Sequence, residues 1–145
     1  MTSNHAKSYM FVTLFVGLLD TTTGELAYVN AGHEPATILG GCGIKTRLEP
    51  TGPAVGILPD ATFDLGKVRL EPGDTLVLHT DGVTDARDPA GKAFTVPRFL
   101  GVLHECAPSA AALVGRVVAD LKAHIGTADQ FDDITLLAVR RAATG

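Results

Sequence analysis

The stretch LVLHTDGVTD, residues 76–85, is an apolar run that stops on an aspartate followed by glycine. Such a run is typical of a buried strand, and Asp81-Gly82 would end that strand with a carboxylate on a tight turn. Asp-Gly is first of all a turn dipeptide, so by itself it is weak evidence for a site. It indicates a site only if a second acidic group is placed beside it.

That second group lies near the end of the chain, where Asp132 and Asp133 precede an apolar segment at residues 134–140. If this segment runs antiparallel beside residues 76–80, one strand ends where the other begins, and Asp81 and Asp132 converge. Convergent carboxylates repel unless a cation or a shared proton lies between them, and they favour hard ions such as Mg²⁺ and Mn²⁺. A pair of such ions can activate water for attack on a phosphate ester.

The rest of the chain is predicted to form strands first and helices later. Helical spacing and a Ser109 cap predict a helix over residues 109–125 that ends before Gly126, and a shorter helix is predicted to begin near Val96 with Pro97 in its first turn. The predicted strands are residues 9–20, 25–30, 36–39, 44–48, 62–70, 74–80 and 134–140, with an antiparallel meander at the start. The pattern predicts an α+β domain, with helices on one face of a mostly antiparallel sheet.

The composition limits the class of protein. The chain has 145 residues, which suits one domain, and its net charge of −4 comes without a basic cluster for nucleic acid. The longest apolar run, residues 10–19, is shorter than the roughly 20 residues that span a bilayer, so we predict no membrane partner. Cys42 and Cys106 show no metal or redox spacing, which predicts a cytoplasmic protein without disulfides.

Three further polar residues are weaker candidates for the site. Asp85 and Asp88 are predicted to be exposed charges on a short helical turn. His33 lies in a predicted turn, where a histidine more often packs or hydrogen-bonds its neighbours, so we assign it no catalytic role.

Four segments, taken in order, resemble the metal-dependent serine/threonine protein phosphatases (PPM family) of the bacterial stage II sporulation protein E type. The segments are FVTLFVGLLDTTTGELAYVNAGHEPATIL (residues 11–39), GPAVGILPDATF (52–63), LEPGDTLVLHTDGVTDARD (70–88) and DQFDDITLLAVR (129–140). The resemblance extends from Tyr9 to Arg140. It implies an αββα sandwich with helices packed outside two sheets, and Mn- or Mg-dependent hydrolysis of phosphoserine or phosphothreonine. It also implies a phosphoprotein substrate, a small anti-sigma-factor antagonist of a partner-switching pathway.

The resemblance also implies roles for particular residues. Asp81 and Asp132 match metal ligands of the family, Asp133 would bind the metal more weakly or support the other two from the adjacent position, and Gly82 would shape the first turn. The family has an earlier aspartate that bridges both metals, and nothing before Tyr9 matches it. We therefore expect residues 9–141 to be the C-terminal portion of the domain, with tails at 1–8 and 142–145. The two-metal site is then incomplete and activity of this chain alone weak or absent.

A truncated sandwich would also explain the apolar composition. Hydrophobic residues make up 46% of the chain and mean hydropathy is +0.22, which is high for a small domain. Inner sheet faces without their partner account for the excess, and a second copy of the chain or an upstream sensor domain would cover them.

Other functions stay open. The alternative is a partner-binding module without catalysis, a pseudophosphatase, whose binding would not respond to EDTA. A cupin-like metal barrel and a nucleotide hydrolase rank lower. The five histidines form no His-x-His pair, and there is no phosphate-binding loop of the Gly-x-x-x-x-Gly-Lys type.

Overall fold

The computed structural model describes residues 10–143, which form seven strands and three helices within that range. The elements in chain order are β1 (Leu14–Leu19), β2 (Glu25–Ala31), β3 (Ala36–Gly40), β4 (Gly43–Leu48), β5 (Gly66–Arg69), β6 (Thr75–His79), α1 (Asp81–Thr84), α2 (Val96–Leu103), α3 (Ala110–Ile125) and β7 (Leu136–Arg140). The predicted order of strands and helices is confirmed. The predicted start of the first strand, Tyr9, lies outside the described residues, and β1 begins at Leu14.

The strands form two antiparallel sheets, one with the order β1-β2-β5 and the other β4-β3-β6-β7. The predicted meander is therefore wrong beyond its hairpins, because β2 and β3 belong to different sheets. The chain crosses between sheets at residues 32–35, where Gly32 has a φ of 65°. Alternating apolar residues show that a strand has one buried face, but they do not show whether the next strand lies beside it or opposite it.

Two apolar layers hold the domain together. Leu26, Ile38 and Leu76 are buried between the two sheets. Val77, one residue along β6 from Leu76, faces the other way and packs with Phe99 of α2 and the buried side of α3. Burial of each such side chain stabilises the fold by about 1.5–3 kcal/mol. The α+β sandwich with helices outside is confirmed, with α2 and α3 on the four-stranded sheet.

Apolar side chains stay exposed on the three-stranded sheet. Leu14, Val16 and Leu18 of β1 are 46%, 54% and 78% exposed on the outer face of that sheet, while Phe15 and Leu19 turn inward. Between the sheets, along the β1 and β7 edges, an apolar gap of about 230 Å³ remains. Part of the excess of hydrophobic residues in the composition is thus located on β1 and at this gap, and further exposed apolar side chains lie in residues 10–12 and 55–65.

The structure joins Cys42 and Cys106 by a disulfide, with their Cα atoms 4.6 Å apart. The prediction that the cysteines are not disulfide-bonded is wrong. The two cysteines are 64 residues apart in sequence, and they come together because the β3–β4 turn and the α2–α3 connection meet at one end of the molecule. The spacing of the cysteines does not indicate this.

None of the helices formed by residues 10–143 has the length and apolar character needed to cross a membrane.

Candidate functional site

The end of β6 and the start of β7 meet, as the sequence predicts. His79 pairs with Leu136 in the ladder. Beyond it the Thr80 amide donates to the Thr135 carbonyl at 3.1 Å, and the Thr135 amide donates to Thr80 Oγ1 at 3.0 Å. The Thr80 hydroxyl in turn donates to the carbonyl oxygen of Asp133 at 3.3 Å. These bonds hold the backbone before β7 against the residue that precedes Asp81.

Glycine is required at residue 82 because the backbone before β7 lies directly against it, which the sequence does not indicate. A Cβ added at residue 82 would overlap the carbonyl oxygen of Asp133 and lie 2.8 Å from its carbonyl carbon. Gly82 is the second residue of α1, so its place in the site comes from close backbone approach and not from a left-handed turn. The backbone at Gly82, next to Asp81, is therefore in contact with the backbone carbonyl of Asp133.

The three candidate ligands are all exposed. Asp81 is the first residue of α1, and Asp132 and Asp133 lie in the irregular segment before β7. The Asp132 carboxylate accepts the Asp133 amide at 2.7 Å, and its backbone carbonyl accepts from Gln130 Nε2 at 2.9 Å. Their oxygen donors suit Mg²⁺ or Mn²⁺. Across residues 10–143, however, no three His, Cys, Asp or Glu side chains are gathered to hold a metal ion. The carboxylate oxygens are suitable ligands for a divalent cation. Within residues 10–143, however, fewer than three such side chains lie close enough together to hold one ion.

A pocket of about 210 Å³ lies beside Asp81, and Thr13 and Glu34 in its lining are not indicated as site residues by the sequence. Its lining consists of Thr13, Gly32, His33, Glu34, Thr80 and Asp81. Thr13 precedes β1 and Glu34 precedes β3, and the antiparallel pairing brings both to the end of the sandwich where β6 stops. The directions of the strands predict that both residues lie at this end of the sandwich, but only once the pairings of β1 with β2 and of β3 with β6 are known.

His33 connects three parts of this end of the molecule. Its Nε2 lies 3.1 Å from the carbonyl oxygen of His79, and its Nδ1 lies 3.1 Å from Thr13 Oγ1. A carbonyl can only accept, so Nε2 carries a proton and donates to it. The backbone amide of His33 donates to Asn30 Oδ1 at 2.8 Å. The ring hydrogen-bonds its neighbours, as predicted, and it supports the end of the strand that carries Asp81.

His79 is buried directly behind the site. Its side chain is 2% exposed, its ring packs on Phe99 at a centroid distance of 4.4 Å, and Nδ1 donates to the carbonyl oxygen of Thr80 at 3.0 Å. Burial lowers the pKa of the His79 imidazole below its ordinary value of 6.5, because a charged ring would lose its hydration. His79 Nε2 has no hydrogen-bond partner among the residues described. The ring packs as part of the core at this position.

The prediction that Asp85 and Asp88 are exposed charges on a helical turn is confirmed for the exposure of Asp85 and is wrong for Asp88, which is half-buried and lies beyond that turn. Asp85 is exposed at the C-terminal end of α1. Asp88 Oδ1 accepts the amides of Ala90 at 2.9 Å and Lys92 at 2.8 Å, which lowers the pKa of its carboxyl. The predicted helical turn lies earlier than expected, since α1 ends at Thr84.

The sequence and structure match known proteins along nearly the whole chain. The family model "Stage II sporulation protein E (SpoIIE)" matches residues 1–142. Protein IcfG of Synechocystis is 43% identical over 139 residues, which is 96% of this chain and 22% of IcfG. Phosphoserine phosphatase RsbU of Bacillus subtilis is 29% identical over 133 residues, which is 91% of this chain and 39% of RsbU.

Among solved structures, the SiaA-PP2C domain of Pseudomonas aeruginosa superposes with a TM-score of 0.74 at 28% identity. The match covers 88% of this chain and 51% of the SiaA chain. The chain thus spans about half of that solved domain and less than half of the curated relatives.

Proposed function

The chain belongs to the stage II sporulation protein E family of PP2C-type phosphatases, and on this premise we propose that it carries part of the site for metal-dependent hydrolysis of phosphoserine or phosphothreonine in a protein. The observation that supports the proposal is the junction of β6 and β7, where Gly82 lies under the Asp133 carbonyl and the acidic segments adjoin. RsbU, a relative, is named as a phosphoserine phosphatase.

In this proposal Asp81 and Asp132 hold a divalent cation, Mn²⁺ or Mg²⁺, and Asp133 supports them from the adjacent position. The cation, when bound, supplies an activated water and neutralises charge on the phosphate. Asp81 and Glu34 line the same pocket, and two carboxylates would repel a phosphate dianion that entered it. Hydrolysis at this position therefore requires a bound cation, because the six residues that line the pocket include no lysine or arginine that could balance the charge of the phosphate.

The proposed substrate is a small phosphoprotein, an anti-sigma-factor antagonist of a partner-switching pathway. The pocket beside Asp81 holds about 210 Å³ and is open to solvent through exposed residues such as Asp81 and Gly32, so it suits one phosphorylated side chain presented by a protein surface. We place this activity in the cytoplasm. The disulfide between Cys42 and Cys106 removes the support that cysteine usage gave to this location, which is proposed from the phosphatase function.

The chain alone is proposed to have an impaired site. Its described residues do not gather three ligating side chains, and a two-metal centre needs ligands that hold both ions at fixed positions. The same observation favours one alternative, a partner-binding module without catalysis. That alternative predicts that the phosphoprotein binds equally well with and without EDTA, and equally well to D81N.

The test is Mn²⁺ binding by calorimetry and phosphate release from a phosphoserine peptide, compared for the wild-type chain, D81N and D85N. Asp85 is an exposed aspartate that caps the C-terminal end of the same short helix, so D85N controls for the loss of one surface charge. We expect Mn²⁺ affinity to fall about tenfold or more in D81N and to stay within about twofold in D85N, where any residual effect is screened surface charge. Equal affinity in all three chains would contradict the proposed metal site. Robust turnover that D81N abolishes would contradict the incomplete site.

A further inference from the structure

Cys42 and Cys106 lie next to each other on the surface, at the end of the domain opposite Asp81. Cys42 lies in the turn between β3 and β4, Cys106 lies between α2 and α3, and both are exposed. This is the end where β6 begins, since Thr75 pairs with both Leu39 and Arg140. Their Cα separation of 4.6 Å lies within the range that a disulfide requires.

The backbone around Cys106 is fixed by bonds other than the disulfide. Arg116 of α3 donates from Nη1 to the carbonyl oxygen of Glu105 at 2.9 Å and from Nη2 to that of Cys106 at 2.7 Å. Arg140 of β7 donates to the carbonyl oxygen of Ala107 at 2.8 Å. These charge-assisted bonds remain when the sulfurs are reduced. They hold the Cys106 side, and the Gly40–Gly43 pair of the β3–β4 ladder closes the turn that carries Cys42, so the two thiols stay close together, which favours ring closure over reaction with separate molecules.

The surroundings of Cys42 are open. Its two neighbours are Gly41 and Gly43, and a Cβ added to either would meet no atom within 4 Å. Cys42 itself is exposed, so a small thiol or disulfide can approach it from solvent. Exposed disulfides are the ones that exchange readily, whereas buried structural ones resist reduction.

We propose that Cys42 and Cys106 form a reversible thiol–disulfide exchange site for low-molecular-weight thiols of the glutathione type. The thiolate of one cysteine attacks a sulfur of oxidised glutathione, expels one glutathione thiolate and leaves a mixed disulfide. The thiolate of the other cysteine attacks the protein sulfur of that mixed disulfide, closes the Cys42–Cys106 bond and expels the second glutathione. Two protein thiols are oxidised to one disulfide while oxidised glutathione is reduced to two thiols, and reduction is the reverse sequence.

The disulfide links the four-stranded sheet covalently to the helical layer that packs on it. It ties the tip of the β3–β4 hairpin to the loop that connects the two helices packed on the same sheet. Closing a loop of this length restricts the unfolded chain, so the oxidised protein should melt higher than the reduced protein by roughly 5–15 °C. The proposal does not depend on phosphatase activity, because its site lies at the other end of the sheet and its readout is chemical.

The experiment equilibrates the folded 145-residue chain with mixtures of reduced and oxidised glutathione, quenches with an alkylating reagent and reads intact mass. We expect a single transition between a form that takes up two labels and a form that takes up none, reached from both directions. Cys42→Ser should stop at a glutathione adduct on Cys106, and Cys106→Ser at an adduct on Cys42.

Three outcomes would overturn the proposal. The thiols could stay open to alkylation in fully oxidised glutathione, the disulfide could resist reduced glutathione in the folded chain, or oxidation could link two copies of the chain instead of closing within one. Because all three are read on the wild-type protein, they do not depend on whether either variant folds.

Discussion

A side chain at residue 82 has no room, because the carbonyl of Asp133 lies over the Cα atom of Gly82. Gly82→Ala should push the segment before β7 away from α1. We expect a loss of about 1–3 kcal/mol in the free energy of unfolding, typical of overpacking, and a loss of Mn²⁺ affinity, since Asp132 and Asp133 move with that segment. Chemical denaturation and calorimetry of Mn²⁺ binding measure the two effects.

Gly115→Ala is the matched control for that substitution. Gly115 is exposed in the middle of α3, and a Cβ there would meet nothing within 4 Å. Alanine in a helix interior is favoured over glycine by about 0.5–1 kcal/mol, so this variant should be more stable, with unchanged Mn²⁺ affinity. If both variants behave alike, close approach at Gly82 is not what organises the site.

The acidic residues of the site could be predicted from the sequence, and the pocket beside them could not. Asp81 and Asp132 each adjoin an apolar run, and the pairing of those two runs is the simplest arrangement of the chain's end. Glu34 and Thr13 reach the pocket only through the pairing of β3 with β6 and of β1 with β2, which no single apolar run shows. The role assigned to Gly82 needed the position of a carbonyl from residue 133, which sequence spacing does not contain.

The helix α3 owes its start to one hydroxyl. Ser109 has extended backbone, and its Oγ accepts the amide of Ala112 at 3.0 Å. Ser109→Ala leaves that amide to water and should cost about 1 kcal/mol, which lowers the melting temperature by a few degrees. Ser109→Asp is the control, because a carboxylate both accepts the amide and favours the helix N-terminus. A Ser109→Ala chain as stable as wild type would show that packing alone sets the start of α3.

Elements with a long repeat are predicted best. Leu113, Val117 and Leu121 recur every four residues and are all buried, so α3 matches its prediction closely. The strand predicted over residues 62–70 is shorter, Gly66–Arg69, because its ladder with β2 ends at the pair Tyr28–Gly66. A strand ends where its partner does, and a single segment of sequence does not carry that information.

For the whole molecule, the resemblance implied two sheets, but the local sequence patterns did not predict which strands belong to which sheet. Both the link after β2 and the link before β6 look like ordinary hairpin turns, yet each carries the chain from one sheet to the other. The disulfide was missed for the same reason: Cys42 and Cys106 meet only after the helices pack on the second sheet. Layer packing is set by the sum of buried faces and not by any local motif.

Arg141 joins the two sheets at the end opposite Asp81. It follows β7, and its guanidinium donates to the carbonyl oxygens of Leu70 at 2.7 Å and of Thr22 and Thr23 at 3.1 Å, all in the three-stranded half. Arg141→Met removes these bonds and should cost about 1–3 kcal/mol of unfolding free energy. Arg69→Met is the control, since Arg69 is exposed and its 3.5 Å pair with Glu71 should contribute less than about 1 kcal/mol.

Neither arginine substitution should change Mn²⁺ affinity, because the carbonyls that Arg141 binds lie far along the strands from the acidic segments. Denaturation curves and Mn²⁺ titrations of the two variants check this separation. The same stability in Arg141→Met and Arg69→Met would mean that the apolar layer alone holds the sheets together. A drop in Mn²⁺ affinity in Arg141→Met without a drop in stability would mean that the two ends of the sandwich are coupled, which the contacts around Arg141 do not predict.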